Sequence, residues 1–138
     1  MIVLDTDTYT LHQFAHERVV ERCRTASEAP AITIVTQIEV FRGRHAAIIK
    51  AEDGARLLHA QQVLVLTLQH MAQFRVVPFD DAAAAMFDQL RQHKKLKKIG
   101  RADLLIASIV LANRATLVSR NLKDFRQVPG LQVENWAD

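Results

Sequence analysis

Cysteine is almost missing from this chain: Cys23 is the only one among 138 residues. A single thiol makes neither an intrachain disulfide nor a cysteine-based zinc site, so a reducing, cytoplasmic setting is expected. Glycine and proline are also scarce, at four and three residues, which argues against long loops, linkers and low-complexity segments. No apolar run approaches the roughly 20 residues of a membrane span. The amino terminus lacks a basic region followed by a long apolar one, so no secretory signal is expected. Neither G-x-x-x-x-G-K-[ST] nor G-x-G-x-x-G occurs, which disfavours nucleotide binding by those loops.

What is present suits one compact domain over residues 1–138. Hydrophobic residues make up 49% of the chain, enough for a packed core. The net charge is +3, and it is unevenly spread. Arg91, Lys94, Lys95, Lys97, Lys98 and Arg101 fall in one stretch without an acid. Such a run is either a solvated helix end or a phosphate-binding edge.

The apolar segments set an order of elements. Ile2-Val3-Leu4 suits a buried strand. Thr6 or Asp7 can cap a helix carrying Leu11, Phe14 and Ala15. A second helical piece runs through Val19, Val20 and Cys23 and ends before Pro30. Ile32 to Val35 fits a second buried strand. Thr36-Gln37-Ile38-Glu39 matches the S/T-x-x-E capping box and predicts the start of the next helix, with Gly43 weakening it near its end. Ile49 to Ala72 reads as one long helix, its Leu57, Leu64, Leu68 and Met71 stripe directed at the core. Val63, Val65 and Leu66 give the same helix apolar positions on further faces, which need a second burial partner. Phe74 to Val77 predicts a third strand, stopped by Pro78. Asp80 and Asp81 are a cap and a first-turn acid. Asp103 to Asn113 predicts a buried helix, and Ala115 to Val118 and Leu131 to Val133 the last two strands. Strands alternating with helices predict an α/β fold with a parallel sheet of about five strands.

Four acids stand at the borders of these apolar segments. Asp5 ends the first strand, Glu39 follows the second, Asp103 opens Leu104 to Leu111, and Asp124 lies past the fourth strand. Each has a plain structural reading: a cap at Asp5, a capping box at Glu39, a first-turn acid at Asp103, a cap-like spacing from Asn121 to Asp124. Their conjunction says more, because a parallel sheet brings such exits to one edge. Converging carboxylates repel and raise one another's pKa unless a cation joins them. A hard cation with oxygen ligands, Mg²⁺ or Mn²⁺, is the natural partner. His12 and His16 have i,i+4 spacing but no intervening Glu and no third zinc ligand. Ser108 and Ser119 have no His–acid arrangement in sequence.

Four motifs carry a resemblance: Leu4-Asp5-Thr6-Asp7-Thr8; the segment from Ile32 through Glu39 to Gly43; Gly100-Arg101-Ala102-Asp103-Leu104; and Ala115 to Val118 followed by Ser119-Arg120-Asn121-Leu122-Lys123-Asp124-Phe125. In their order and spacing across essentially the whole chain they resemble a PIN-domain ribonuclease, specifically a VapC-type toxin. The resemblance implies a three-layer α/β/α fold around a central parallel sheet. It implies Asp5, Glu39 and Asp103 as an acidic triad for Mg²⁺ or Mn²⁺, with Asp124 as the fourth carboxylate and Asn121 as its neighbour. Asp7, Ser119, Arg42, Lys97, Lys98 and Arg101 are the residues expected to position substrate, with Arg120 a weaker candidate. Metal-dependent hydrolysis of RNA, a homodimer and a cognate antitoxin protein are implied with it. The closing Val128-Pro129-Gly130-Leu131 and Glu134-Asn135-Trp136 look most like the subgroup that cleaves initiator transfer RNA.

Two other readings stand beside this one. A non-catalytic RNA- or partner-binding module can share the scaffold. A receiver-like signalling domain is also α/β with an acidic Mg²⁺ site, and would need a phosphoacceptor after its third strand, where Asp80 is the nearest acid.

Overall fold

A computed structural model describes the chain from Met1 to Asp138. Short, largely buried segments form five strands: β1 (Ile2–Leu4), β2 (Ala31–Thr33), β3 (Val76–Val77), β4 (Thr116–Val118) and β5 (Gln132–Glu134). Seven α-helices connect and cover them: α1 (Thr6–Gln13), α2 (Glu17–Thr25), α3 (Ile34–Lys50), α4 (Gly54–Met71), α5 (Asp81–Leu90), α6 (Arg101–Ala112) and α7 (Leu122–Phe125). All strand pairs are parallel, in the order β3-β2-β1-β4-β5.

Strand residues alternate between two cores, as the period of two requires. Val3, Ala31 and Leu117 join Ile106, Ile109 and Phe125 on one side. Leu4, Ile32 and Val118 join Tyr9, Val40, Met71 and Trp136 on the other. Both faces of the sheet are therefore covered, giving the expected α/β/α layering. The strand order reverses at β1, with β2 and β3 on one side and β4 and β5 on the other. A crevice at the carboxyl ends of β1 and β4 is where such a sheet binds ligands.

Several boundaries differ from the sequence expectation, each for a local reason. Of the caps offered for α1, Asp5 and not Thr6 or Asp7 serves, accepting from the Thr8 amide at 2.9 Å. The second strand stops at Thr33, which caps α3 by accepting from the Thr36 amide at 3.2 Å. The helix thus starts before Thr36, so Thr36-x-x-Glu39 is not its capping box and Glu39 lies in the second turn. Gly43 does not end α3, which runs on to Lys50. The single helix expected from Ile49 is interrupted at 51–53, where Asp53 caps a separate α4 by accepting from the Arg56 amide at 2.8 Å.

The leucine stripe is the largest correction. Met71 is buried, but Leu57 is 44% and Leu68 49% exposed, together with Leu58, Val65 and Leu66. The packed side of α4 runs through Ala60, Thr67 and Met71 instead. A polar knot fixes that side: Thr67 Oγ1 receives hydrogen bonds from Gln13 Nε2 at 2.7 Å and Arg44 Nε at 2.9 Å and donates to the Val63 carbonyl. Turning Thr67 inward rotates the leucines outward.

The Thr33 cap gives a direct test. Thr33→Val keeps the volume of a fully buried side chain and removes the hydroxyl, so it should destabilise the fold by about 0.5–2 kcal/mol, the value of a lost cap. Urea unfolding measures it; an unchanged midpoint would return the helix start to Thr36.

Candidate functional site

Four carboxylates line the crevice marked by the reversal in strand order, three of them close enough to act on the charge of Asp103. Asp5 leaves β1 and is only 6% exposed. Its amide donates to the Val118 carbonyl at 3.0 Å, which ties it to the end of β4. Glu39 reaches the site from α3, where its Oε1 accepts from Thr6 Oγ1 at 2.6 Å. Thr6 Oγ1 also lies 3.0 Å from Thr36 Oγ1. Asp103 comes from the first turn of α6. It does not follow a strand; α6 runs back along the sheet into β4, and so begins at the carboxyl edge. Asn121, the cap of α7, joins the last two acids: its Nδ2 donates to Asp124 Oδ2 at 3.0 Å and to Asp103 Oδ2 at 3.4 Å. Both candidates for the fourth position therefore face the cluster, Asp124 with its charge and Asn121 with its amide.

The electrostatics follow from this crowding. Burial pushes Asp103 up to about 6, and the charges of Asp5, Glu39 and Asp124 add to it, against the Asn121 hydrogen bond. Burial also raises Asp5, opposed by the Ser119 hydroxyl and the Thr8 amide. Asp7 is exposed, and its charge adds slightly to the upward push on Asp5. Ser119 is fully buried, and its Oγ accepts from the Asn121 amide at 2.9 Å. No lysine or arginine forms an ion pair with any of the four acids.

These donors suit a hard cation. All are oxygens, the local charge is negative, and no basic side chain neutralises it. No three His, Cys, Asp or Glu side chains are disposed as a ready-made ligand set. Asp103 lies within the field of the other three acids, but the four do not close on a common point. Mg²⁺ keeps several waters and binds through as few as one or two carboxylates, so an open cluster satisfies it.

The remaining expected residues divide. Lys97 and Lys98 are exposed before α6, and Arg101 opens that helix, two residues from Asp103. Arg42 is exposed one turn beyond Glu39 on α3; it lines a cavity of about 420 Å³ with Phe41, His45, Leu64 and Leu68. Arg120 points elsewhere, pairing with Asp138 at 3.6 Å. Thr6 is the residue that sequence reasoning treated only as a cap and that here holds Glu39. Its place directly after Asp5 was the available signal. His12 and His16 do not share a site: His12 Nδ1 lies 2.9 Å from His70 Nε2, while His16 caps α2. Burial pushes the Cys23 thiol up to about 11, which makes it a poor nucleophile. Asp80 caps α5, and the strand order is not the 2-1-3-4-5 of receiver-type sheets, so the receiver-like reading is set aside.

Comparison with known proteins agrees with this fold. The family model described as PIN domain matches residues 2–131. Ribonuclease VapC2 of Rickettsia felis is 37% identical over 68 residues, covering 48% of this chain and about half, 51%, of that protein's length. The tRNA(fMet)-specific endonuclease VapC of Salmonella typhimurium is 24% identical over 139 residues, covering 98% of this chain and 97% of its own. The crystal structure of VapBC2 from Rickettsia felis, bound to a DNA fragment from their promoter, superposes with a TM-score of 0.77 at 26% identity, over 99% of each chain.

The raised pKa of Asp103 has a pH signature in the metal-free protein. The folded state holds a proton on this carboxyl up to about pH 6, whereas the unfolded chain releases it near 3.9. Protonation thus favours the folded state at low pH, and that contribution is lost as pH rises through about 6. With chelator present, Asp103→Asn should melt a few degrees above the wild type at pH 7, the shift produced by about 1 kcal/mol, and the two should converge toward pH 4. Melting curves across this range check it; a constant difference would mean that Asp103 does not titrate in the cluster.

Proposed function

The chain belongs to the PIN-domain family, and from that premise we propose that it is a divalent-metal-dependent endoribonuclease, the toxin of a toxin–antitoxin pair. The observation that carries this reading is a crevice of four carboxylates with no cationic side chain paired to them. Residues 1–138 act as one PIN-like unit. Asp5, Glu39, Asp103 and Asp124 hold Mg²⁺ or Mn²⁺. When bound, the ion supplies Lewis-acid stabilisation of the phosphoryl group and makes water acidic enough to serve as a nucleophile near neutral pH.

The chain's own residues set up the reaction. Asp5 is held by the Thr8 amide, with the Ser119 hydroxyl favouring its charged form, and Glu39 is held by the Thr6 hydroxyl. Asn121 spaces Asp103 from Asp124 while donating to both. These restraints fix the donors before substrate arrives, which is what positioning in phosphoryl transfer requires. Water attacks phosphorus, the bond to the 3′-oxygen breaks, and the leaving oxygen is protonated, giving a 5′-phosphate and a 3′-hydroxyl. Lys97, Lys98 and Arg101 receive flanking phosphates, with Asp7 and Arg42 in supporting positions; Ser119, fully buried, acts only through Asp5 and Asn121. Transfer RNA is the substrate suggested by the full-length match to a tRNA(fMet)-specific endonuclease. No helix is long and apolar enough to cross a membrane, and the proposed RNA substrate favours a cytoplasmic setting.

Partners follow from the same premise. The exposed Leu57, Leu58, Val65, Leu66 and Leu68 on α4 form a surface suited to a second copy of the chain or to an amphipathic antitoxin helix. Light scattering at micromolar concentration should give twice the monomer mass; a monomeric mass at all concentrations would remove the homodimer.

Sequencing of RNA ends after induction tests the activity. Wild type should generate new ends bearing 5′-phosphate, and Asp103→Asn should lose them by at least about 100-fold, the scale of removing one electrostatic group from a reacting centre. Mn²⁺ should raise the melting temperature of the wild type and raise that of Asp103→Asn less. Co-expression of the product of a neighbouring small gene should suppress the ends. A wild type that yields no new ends while still binding RNA would favour the non-catalytic module.

A further inference from the structure

We propose that the cleft between α5 and the start of α6 is a subsite for a single unpaired nucleotide of the RNA, next to the bond that is cut; this rests on the ribonuclease reading above. The cleft encloses about 210 Å³, and Phe87, Arg91, Lys97 and Arg101 are among its lining. Its floor is apolar, formed by the buried Leu96, Ile99 and Leu104. Its rim is cationic. The guanidinium carbons of Arg91 and Arg101 lie 5.9 Å and 5.7 Å from the Phe87 ring centroid. Phe79, 38% exposed, meets Phe87 edge-on with centroids 6.3 Å apart.

Three features separate this cleft from an ordinary basic surface. First, none of Arg91, Lys97 and Arg101 forms an ion pair with an acid. The positive charge is therefore open to an anion. Second, both arginines are held against an aromatic ring, so each offers a planar face for stacking and an N–H edge for phosphate at once. Cations interleaved with aromatic rings are the chemistry of single-stranded nucleic-acid binding. Third, the volume falls below the roughly 300–1,000 Å³ of clefts for drug-sized ligands, which suits one base rather than a longer ligand. A base enters only when unstacked and unpaired, so the cleft selects looped or single-stranded RNA.

Its location links it to the reaction. Arg101 and Leu104 line the cleft, while Asp103 between them turns toward Asn121 and the other acids. One helical turn, about 5.4 Å of rise, thus presents the carboxylate on one side and the cleft on the other. A nucleotide seated there places an adjoining phosphate at the acids.

The test uses the full chain carrying Asp103→Asn, so that RNA is bound but not cut, and short single-stranded RNAs each with one abasic position. Binding is followed by fluorescence anisotropy. One abasic position should weaken binding about 5- to 100-fold, the loss of one base stack. Adding Phe87→Leu should weaken binding of the intact RNA by a similar factor and remove the sensitivity to that position. Arg91→Gln, at an exposed site, should do the same in part and lower the logarithmic salt slope by about 0.7 for the lost phosphate contact; it decides the matter if Phe87→Leu lowers the melting temperature. Abasic sensitivity that is unchanged in both variants would place the base elsewhere and overturn the cleft alone. A protein that neither binds nor cuts any RNA would instead overturn the ribonuclease reading on which it rests.

Discussion

Asp5 is buried beside three other carboxylates, and the chain brings no lysine or arginine to neutralise them. Burying an acid without a counter-charge is costly, and like charges add to the cost. The fold answers with neutral donors: the Thr8 amide, the Ser119 and Thr6 hydroxyls, and the Asn121 side-chain amide. Hydrogen bonds to a charged group contribute about 1.5–3 kcal/mol, but they leave the net charge unchanged. The cluster is therefore tolerable yet without a counter-charge, and the divalent ion of the proposed function would supply one. The parallel sheet makes the arrangement possible. Reversal of strand order at β1 opens the crevice, and the Asp5 amide bonded to Val118 closes its base.

Capping and function are not alternatives here. Asp5 caps α1 through Oδ1, and Asn121 caps α7 while bridging Asp103 and Asp124. The Asp5 cap uses Oδ1 alone, and at Asn121 the side-chain oxygen caps while Nδ2 reaches the acids. Helix starts gather at the carboxyl edge of a parallel sheet, so residues that begin helices are the ones able to meet there. Each cap also holds its acid in one rotamer, which pre-orders the donor set for an incoming ion.

How much of this was legible depends on the range over which each signal acts. Strand identity came through clearly, because short β-branched runs bounded by helix-start residues are local features. The convergence of Asp5, Glu39, Asp103 and Asp124 was legible from the parallel topology, although Asp103 arrives from a helix start rather than a strand exit; their roles as ligands stay part of the proposal. Boundaries were less legible. Thr33 and Thr36 are both plausible caps, and the choice is made by the contact of Thr36 with Thr6 across the site, a pairing thirty residues apart. The orientation of α4 was not legible at all. Its leucines mark an apolar stripe, but periodicity does not say whether a stripe meets the protein's own core or another surface. The deciding contacts, from Gln13 and Arg44 to Thr67, involve polar residues that a hydrophobic pattern ignores.

A last constraint concerns the approach of RNA, a polyanion, to a crevice of carboxylates. Without a cation the two repel, and the modest net charge of +3 would not overcome this if it were spread evenly. The positive charge is instead gathered just before α6, while the acids sit at its first turn and beyond. Under the proposed function, this separation along one helix start would let the two signs work on different parts of the substrate: the exposed cations of 91–101 would hold flanking phosphates, and the acids would hold the ion. Attraction at the rim is long-ranged, about 8–10 Å at physiological salt, whereas ligation at the acids is a contact interaction. Under the proposed function, the rim would meet RNA before the crevice does.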